Sequence, residues 1–165
     1  MGGHRTAREV WRHLFAFGSE SHRAALRTEL ASRYQGEVTL YHKGRAALTE
    51  AIRLATGGKG AVAVSGLTCY SVVQAVEEAG CTPIYLDINK DDLHFGASQL
   101  EAACKKNKIN AVVVQHMLGL PANIKAITEV AKKYNVTIIE DLAHAAGATY
   151  GGQRQLGTVA PYTVL

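Results

Sequence analysis

The sequence has little cysteine, only three prolines and no long apolar run, and each shortage excludes a class of protein. The few prolines exclude collagen-like and low-complexity chains. The cysteines Cys69, Cys81 and Cys104 are odd in number and form no Cys-x-x-Cys pair, so they indicate neither a disulfide framework nor a zinc site. A reducing, cytoplasmic location is therefore expected. No apolar run approaches the ~18 residues that a membrane-spanning helix requires, and we expect no membrane association.

The net charge of the chain is small, and its basic residues are unevenly distributed along the sequence. The net charge of +4 comes from 18 basic and 14 acidic residues in a chain of 165. Much of the excess lies near the start of the chain, at Arg5, Arg8, Arg12, Arg23, Arg27 and Arg33. No basic patch with interleaved aromatic residues follows, so these arginines indicate a solvated helical face, and we expect no nucleic-acid partner. With 47% apolar residues and 19% charged residues, the composition is that of a folding domain.

The order of apolar segments predicts an α/β fold behind a helical N-terminal arm. Residues 1–36 are interpreted as the arm, with amphipathic helices over 5–17 and 20–34. From residue 37 onward, strands and helices alternate about every 25–30 residues, which is typical of βαβ units. Strands are predicted at 38–41, 61–64, 83–86, 111–114 and 136–139 and from residue 162, with helices from 44 to about 55 and over 69–79, 97–106 and 123–134.

These strands are continuous apolar runs, as in parallel sheets that helices cover on both faces. We therefore expect a three-layer sandwich with a mostly parallel sheet. Ligands of such sheets bind beyond the carboxyl ends of the strands. The residues that follow predicted strands are Gly44 and Arg45, Thr68, Cys69 and Tyr70, His116, and the acidic pair Glu140 and Asp141.

Gly44 stands between a predicted strand and a predicted helix. A glycine there lets backbone N–H groups approach an anion, and the helix N-terminus favours a phosphate. The alternative is a plain tight turn. Neither G-x-G-x-x-G nor G-x-x-x-x-G-K-[ST] is present, so neither nucleotide-binding fingerprint applies.

Asp141 ends a buried strand and is followed by small residues that would let a flat ligand approach. Its carboxylate could keep a heterocyclic nitrogen protonated, or bind a metal together with His116 and His144. The alternative is that Asp141 caps the next helix. Since no compact ligand motif is present, we predict no metal site.

Residues 140–148, EDLAHAAGA, resemble the EDxA[QH]AxGA motif of the DegT/DnrJ/StrS aminotransferases. Other stretches follow in the order found in this family, so that the similarity extends from about residue 20 to the last residue. They are GRAAL at 44–48, TCY at 68–70 with AGCTPIYLD at 79–87, HMLGLP at 116–121, and the glycines at 151, 152 and 157. The resemblance implies a fold-type-I enzyme that uses pyridoxal 5′-phosphate, with residues 37–165 as part of its large domain.

The resemblance also implies roles for individual residues. Asp141 would pair with the pyridinium nitrogen, and His144 would contact the 3′-oxygen of the ring. Gly44, Arg45 and Ala46 would form the turn that holds the phosphate. Cys69 takes the position of an aromatic residue that stacks on the ring, a role that Tyr70 could assume. The implied substrates are a nucleotide-linked keto-sugar and an amino-acid donor, and the implied assembly is a homodimer.

The lysine that forms the Schiff base in this family is expected beyond Leu165, since no lysine in the sequence has the matching context. The chain is accordingly interpreted as an N-terminal fragment with an incomplete large domain, in which Tyr162–Leu165 would form an exposed apolar edge. Two alternatives stay open. One is a non-catalytic module that dimerises or regulates, and the other is an unrelated enzyme for a phosphate ligand that uses His116 and Asp141.

Overall fold

The computed structural model describes residues 20–165, so the helix predicted over 5–17 lies outside the described residues. The chain divides into two units, Met1–Thr39 and Leu40–Leu165. In the described part of the first unit, helix α1 (Glu20–Tyr34) agrees with the prediction for 20–34. Among the described helices, none combines the length and the hydropathy needed to cross a membrane.

The second unit contains a five-stranded parallel sheet with helices on both faces, which confirms the predicted fold class. The strand order is β2-β1-β3-β4-β7, and β5 and β6 form a separate two-stranded hairpin. The helices are α2 (Gly44–Thr56), α3 (Tyr70–Glu78), α4 (Ala97–Lys106) and α5 (Ile124–Tyr134). The strands are β1 (Ala61–Ser65), β2 (Thr82–Leu86), β3 (Ile109–Gln115), β4 (Thr137–Asp141), β5 (Thr149–Tyr150), β6 (Arg154–Gln155) and β7 (Tyr162–Val164).

Successive residues of the central strands point to opposite faces of the sheet, as the pleat requires. On one face, Val62 and Val113 pack with residues of α2 and α3. On the other face, Ala63 and Val112 pack with residues of α4 and α5. Both faces are therefore buried, which explains why the strands are continuous apolar runs.

The chain reverses its direction across the sheet between β1 and β3. From β1 it passes through α3 on one face to β2, and then through α4 on the opposite face to β3, on the other side of β1. The helices next to β1 and β3 thus leave the sheet on opposite faces and open a crevice at the carboxyl ends of these strands.

Local sequence explains where the helices end. Gly57 terminates α2 with a φ of 70°, a left-handed conformation that glycine adopts without steric cost, and its N–H donates to Arg53 O. Asn123 caps α5, because its side-chain oxygen accepts a hydrogen bond from the Ala126 N–H.

Three predictions of local structure are wrong or incomplete. Residues 38–41, which the structure describes, form no strand and pair with none of the sheet strands. The β5–β6 hairpin was not predicted, because strands of two residues carry no periodicity. β7 lies at the end of the strand order, as expected for an edge, but Val164 is buried in the core beneath α2.

Candidate functional site

Helices α2 and α3 begin at the edge of the sheet where the parallel strands end. The short loop after Gly57 joins the end of α2 to the start of β1, so α2 runs antiparallel to the strands. Arg45 bonds Gln74 and Thr49 bonds Glu78, both pairs at a separation of 29 residues. This equal offset shows that α2 and α3 lie side by side and parallel, with both N-termini at the carboxyl edge.

A chain of hydrogen bonds crosses the crevice between β1 and β3 and continues to β4. The Thr68 hydroxyl, in the loop after β1, donates to Gln115 Oε1 at 2.5 Å. Gln115 ends β3, and its Nε2 donates to Asp141 Oδ2 at 3.0 Å. Gln115 and Asp141 are direct partners in the strand register, so their side chains emerge on the same face of the sheet.

Asp141 is buried, with 6% of its surface exposed, and both of its carboxylate oxygens have donors. Oδ1 accepts a hydrogen bond from the Ala143 N–H at 3.1 Å, and Oδ2 accepts the one from Gln115. The Ala143 bond starts a turn over residues 143–147, and no helix follows. The alternative in which Asp141 caps a helix is therefore wrong, since it caps a turn. Asp141 and Glu140 also lie within β4 and do not follow it.

The N-terminus of α2 is open above Gly44. A Cβ placed on Gly44 would meet no atom within 4 Å, so a ligand can approach the backbone here. The amides of Ala46 and Ala47 donate to Lys43 O at 3.1 and 3.3 Å. Of the predicted phosphate turn, the amides of Gly44 and Arg45 are the first two of the helix and lack intrahelical partners by their position. The Ala46 amide is already engaged within the chain.

The Arg45 side chain points toward α3. Its guanidinium donates to Gln74 Oε1 at 2.5 Å and lies 3.6 Å from a Glu78 carboxylate oxygen. The charge of Arg45 is thus balanced by Glu78. In this arrangement the guanidinium is directed to α3, and Arg45 offers an anion at Gly44 its backbone N–H.

Cys69, Tyr70 and His144 are exposed at the same edge. Cys69 is the N-cap residue of α3, and its Sγ lies 2.8 Å from Ser71 Oγ. Tyr70 follows it in the first turn of the helix with 68% of its surface exposed. His144 lies in the turn after Asp141. All three positions lie within three residues of Thr68 or Asp141, the outer members of the Thr68–Gln115–Asp141 hydrogen-bond chain.

A second constellation lies on the opposite face of the sheet, because alternation along β3 and β4 directs His116 and Glu140 away from Gln115 and Asp141. The fully buried His116 and Glu140 side chains bond at 3.0 Å, and the Tyr150 hydroxyl donates to Glu140 at 2.9 Å. Three backbone N–H groups also donate to the Glu140 carboxylate, those of Gly157, Val159 and Ala160.

These contacts fix the charge of Glu140. Burial raises the pKa of its carboxyl group, but the hydrogen bonds from His116, from backbone N–H groups and from Tyr150 outweigh burial and lower the pKa to about 2. Burial and the Glu140 charge raise the pKa of Tyr150 well above its ordinary value. Glu140 is therefore a buried carboxylate with its hydrogen-bonding capacity used inside the protein, and it is not available to a ligand.

The metal site with His116, Asp141 and His144 is not assembled. His116 Nδ1 accepts a hydrogen bond from the Ala122 N–H at 3.1 Å, which places the ring proton on Nε2, toward Glu140. Both ring nitrogens are thus engaged. Among residues 20–165, no group of three potential ligands has metal-binding geometry. The alternative enzyme that uses His116 and Asp141 together is wrong for the same reason, because the two side chains leave opposite faces.

Pyridoxal phosphate fits the polar groups at this edge. The first amides of α2 suit a phosphate, and the buried carboxylate of Asp141 suits a protonated ring nitrogen. Gln115 and Tyr150 are not among the predicted site residues. A polar residue at the end of an apolar strand was the available signal for Gln115, whereas nothing in the sequence marks Tyr150 as a partner of Glu140.

Comparison with known proteins gives a family match over most of the chain. The sequence profile of the DegT/DnrJ/EryC1/StrS aminotransferase family matches residues 28–165. A protein from Geobacillus stearothermophilus named pleiotropic regulatory protein is 32% identical over 123 residues, which are 73% of this chain and 33% of that protein. The chain thus spans about one third of the length of that curated relative.

Solved structures share the fold. An aminotransferase from Psychrobacter cryohalolentis superposes with a TM-score of 0.70 at 27% identity, covering 81% of this chain and 34% of that one. Spr1654 from Streptococcus pneumoniae, named as a sugar aminotransferase and solved in its pyridoxal phosphate form, superposes with a TM-score of 0.77 over 94% of this chain and 44% of its own. At 22% identity this second likeness concerns the fold alone.

Proposed function

Because the chain belongs to the DegT/DnrJ/EryC1/StrS aminotransferase family, we propose that residues 40–165 form the cofactor-binding part of a sugar aminotransferase that depends on pyridoxal phosphate. The observation that carries the proposal is the buried Asp141 carboxylate at the carboxyl edge of the sheet. Thr68 and Gln115 connect it to the crevice between β1 and β3. Ligands of open α/β sheets bind at such a crevice.

Each residue of this edge then has a distinct task. The Gly44 and Arg45 amides bind the phosphate, and Asp141 holds a proton on the ring nitrogen, so that the bound cofactor acts as an electron sink. Tyr70 or Cys69 covers the ring, and His144 meets its 3′-oxygen. The His116–Glu140 pair supports the strand ends from the opposite face and takes no part in binding.

The finer assignments come from the family. We propose a nucleotide-linked keto-sugar as amino acceptor, an amino acid as donor, a homodimeric assembly and a cytoplasmic location. Similarity at 27% identity to a solved structure named as an aminotransferase supports the reaction class. The three cysteines, all within the described residues, are free thiols, which agrees with a reducing compartment.

Cofactor binding can be tested on the 165-residue chain by equilibrium dialysis against pyridoxal phosphate. We expect saturable binding, and we expect Asp141→Asn to weaken it by about tenfold because the neutral amide no longer pairs with a protonated ring nitrogen. Asp91→Asn is the matched control, since Asp91 is an exposed carboxylate on the loop after β2. Equal affinities of the wild-type chain and Asp141→Asn would contradict the proposal.

A second candidate function is regulatory. We propose as this second candidate a module that regulates and uses the fold without amino-group transfer. The curated relative that is 32% identical to the chain is named pleiotropic regulatory protein, which supports the regulatory part of this candidate. Dialysis separates the two candidates, because a purely regulatory module that needs no cofactor would not distinguish Asp141 from Asp91.

A further inference from the structure

We infer that Gln115 is a positioning residue for the ring nitrogen of the cofactor, acting through Asp141 and itself oriented by Thr68. The inference deepens the proposed function and rests on it. The three side chains come from the ends of three different segments: the loop after β1, the last residue of β3 and the last residue of β4. They meet at the point of the sheet where a ligand is expected.

The direction of each hydrogen bond follows from the chemistry of Asp141. An ionised carboxylate only accepts hydrogen bonds, so the amide of Gln115 must present Nε2 to Oδ2. The amide oxygen then faces Thr68, and the Thr68 hydroxyl must donate. The polarity of the whole chain is therefore set by the charge of Asp141, and Thr68 in turn prevents the Gln115 amide from flipping.

The same contacts restrict the rotation of the Asp141 carboxylate. Oδ2 is held by Gln115 and Oδ1 by the Ala143 N–H, one donor on each oxygen. Each oxygen retains a second lone pair for a further donor. A protonated ring nitrogen that approaches from the crevice is a donor of that kind, and it meets a carboxylate whose orientation is already fixed.

Gln115 faces the helices α2 and α3, because Val113 on the same face of β3 packs against them. An apolar side chain at this position would fill the same space without offering a donor. The Gln115 amide is therefore required by the carboxylate and not by core packing.

A comparison of two probes tests the inference on the 165-residue chain. Pyridoxal 5′-phosphate has a ring nitrogen, whereas in 1-deazapyridoxal 5′-phosphate a C–H replaces it. The ratio of their dissociation constants isolates the contact with Asp141 from the contacts with the phosphate. We expect the wild-type chain to prefer pyridoxal phosphate, and we expect Gln115→Leu to reduce that preference by about tenfold with little change in binding of the deaza compound.

Gln153→Leu is the matched control, because Gln153 is an exposed glutamine in the turn between β5 and β6, and it should keep the full preference. Thr68→Val should reduce the preference in the same direction but less, and Thr68→Ser should restore it. The Thr68 variants also carry the test if Gln115→Leu does not fold, as judged by circular dichroism.

The experiment distinguishes a failure of this inference from a failure of the proposed function. A preference that persists in Gln115→Leu and in Thr68→Val, with the wild-type preference intact, would overturn the role of Gln115 while leaving the proposed function standing. Equal binding of the two probes by the wild-type chain, or binding of neither, would overturn the proposed function and this inference with it.

Discussion

Nε2 of His116 lies 3.0 Å from Oε2 of Glu140, and both side chains are fully buried. This hydrogen bond connects the end of β3 to β4. The Glu140 carboxylate also accepts hydrogen bonds from the backbone N–H groups of residues 157, 159 and 160. Through one carboxylate, the segment that leads into β7 is therefore bound to the centre of the sheet. We therefore expect the stability of the described domain to depend strongly on Glu140.

Glu140→Gln should destabilise the chain by about 3 kcal/mol or more. The glutamine –NH₂ group would face donors in place of an acceptor, leaving buried N–H groups without partners. Urea unfolding followed by circular dichroism measures the loss. Glu129→Gln, at an exposed position on α5, is the control and should change stability by less than about 0.5 kcal/mol. A Glu140→Gln variant as stable as this control would show that the carboxylate does not secure the segment.

Stability should also fall in acid through the titration of Glu140. The pKa of Glu140 is about 2 in the folded chain against 4.5 for the ordinary group. The folded state binds its proton less readily, so this stabilisation is complete above pH 4.5 and is lost as the pH falls toward 2. The difference of about 2.5 pKa units corresponds to about 3 kcal/mol. The free energy of unfolding, measured from pH 6 to pH 2, should therefore decrease less in Glu140→Gln than in the wild-type chain. Parallel curves for the two proteins would contradict the assignment.

Gly44→Asp should weaken cofactor binding without lowering the stability of the chain. A carboxylate in the first turn of α2 interacts favourably with the helix dipole, by about 0.3–1 kcal/mol, but repels a phosphate at the same amides. We expect a thermal midpoint equal to or above that of the wild-type chain, and an affinity for pyridoxal phosphate reduced by about tenfold or more. Gly44→Asn has nearly the same shape without the charge and should bind more tightly than Gly44→Asp. Equal binding by the two variants would place the phosphate elsewhere.

Leu118 has an unfavourable backbone conformation. Its φ is 54°, in the left-handed region, and 72% of its surface is exposed. Leu118→Asn should raise the free energy of unfolding by up to about 1 kcal/mol, because asparagine tolerates this conformation and few contacts are lost. Leu54→Asn, at another exposed leucine in the last turn of α2, should be neutral or destabilising. Destabilisation by Leu118→Asn beyond that of Leu54→Asn would show that Leu118 makes contacts that outweigh its strain.

The strands that could be predicted from the sequence are those whose burial determines their amino-acid composition. The runs at 61–64 and 111–114 are apolar because helices cover both faces of their strands. Such a run can be recognised from the sequence alone. The run at 38–41 is also mostly apolar, but a strand needs a neighbour as well, and the sheet of the described residues provides none for it. Pairing is a property of the whole sheet and leaves no local signal.

The residues of the candidate site likewise divide into those that can be recognised from local sequence and those that depend on strand pairing. Asp141 is recognisable because an acidic residue at the end of an apolar strand is unusual, and the surrounding motif carries the family resemblance. Gln115 is not recognisable, because its importance comes from facing Asp141 across the strand register. Glu140 was grouped with Asp141 as an acidic pair, although alternation along β4 sends the two carboxylates to opposite faces.

The Thr68–Gln115–Asp141 hydrogen-bond chain has a consequence for folding. Its two bonds close loops of 47 and 26 residues, so the first requires β1 and β3 to have docked and the second requires β3 and β4, and the complete chain requires all three strands. Contacts of such sequence separation are slow to form, because the entropy of loop closure is lost before they contribute. The ligand-binding edge should therefore be among the last parts of the domain to become ordered. The recovery of cofactor binding during refolding should accordingly lag behind the return of helical circular dichroism.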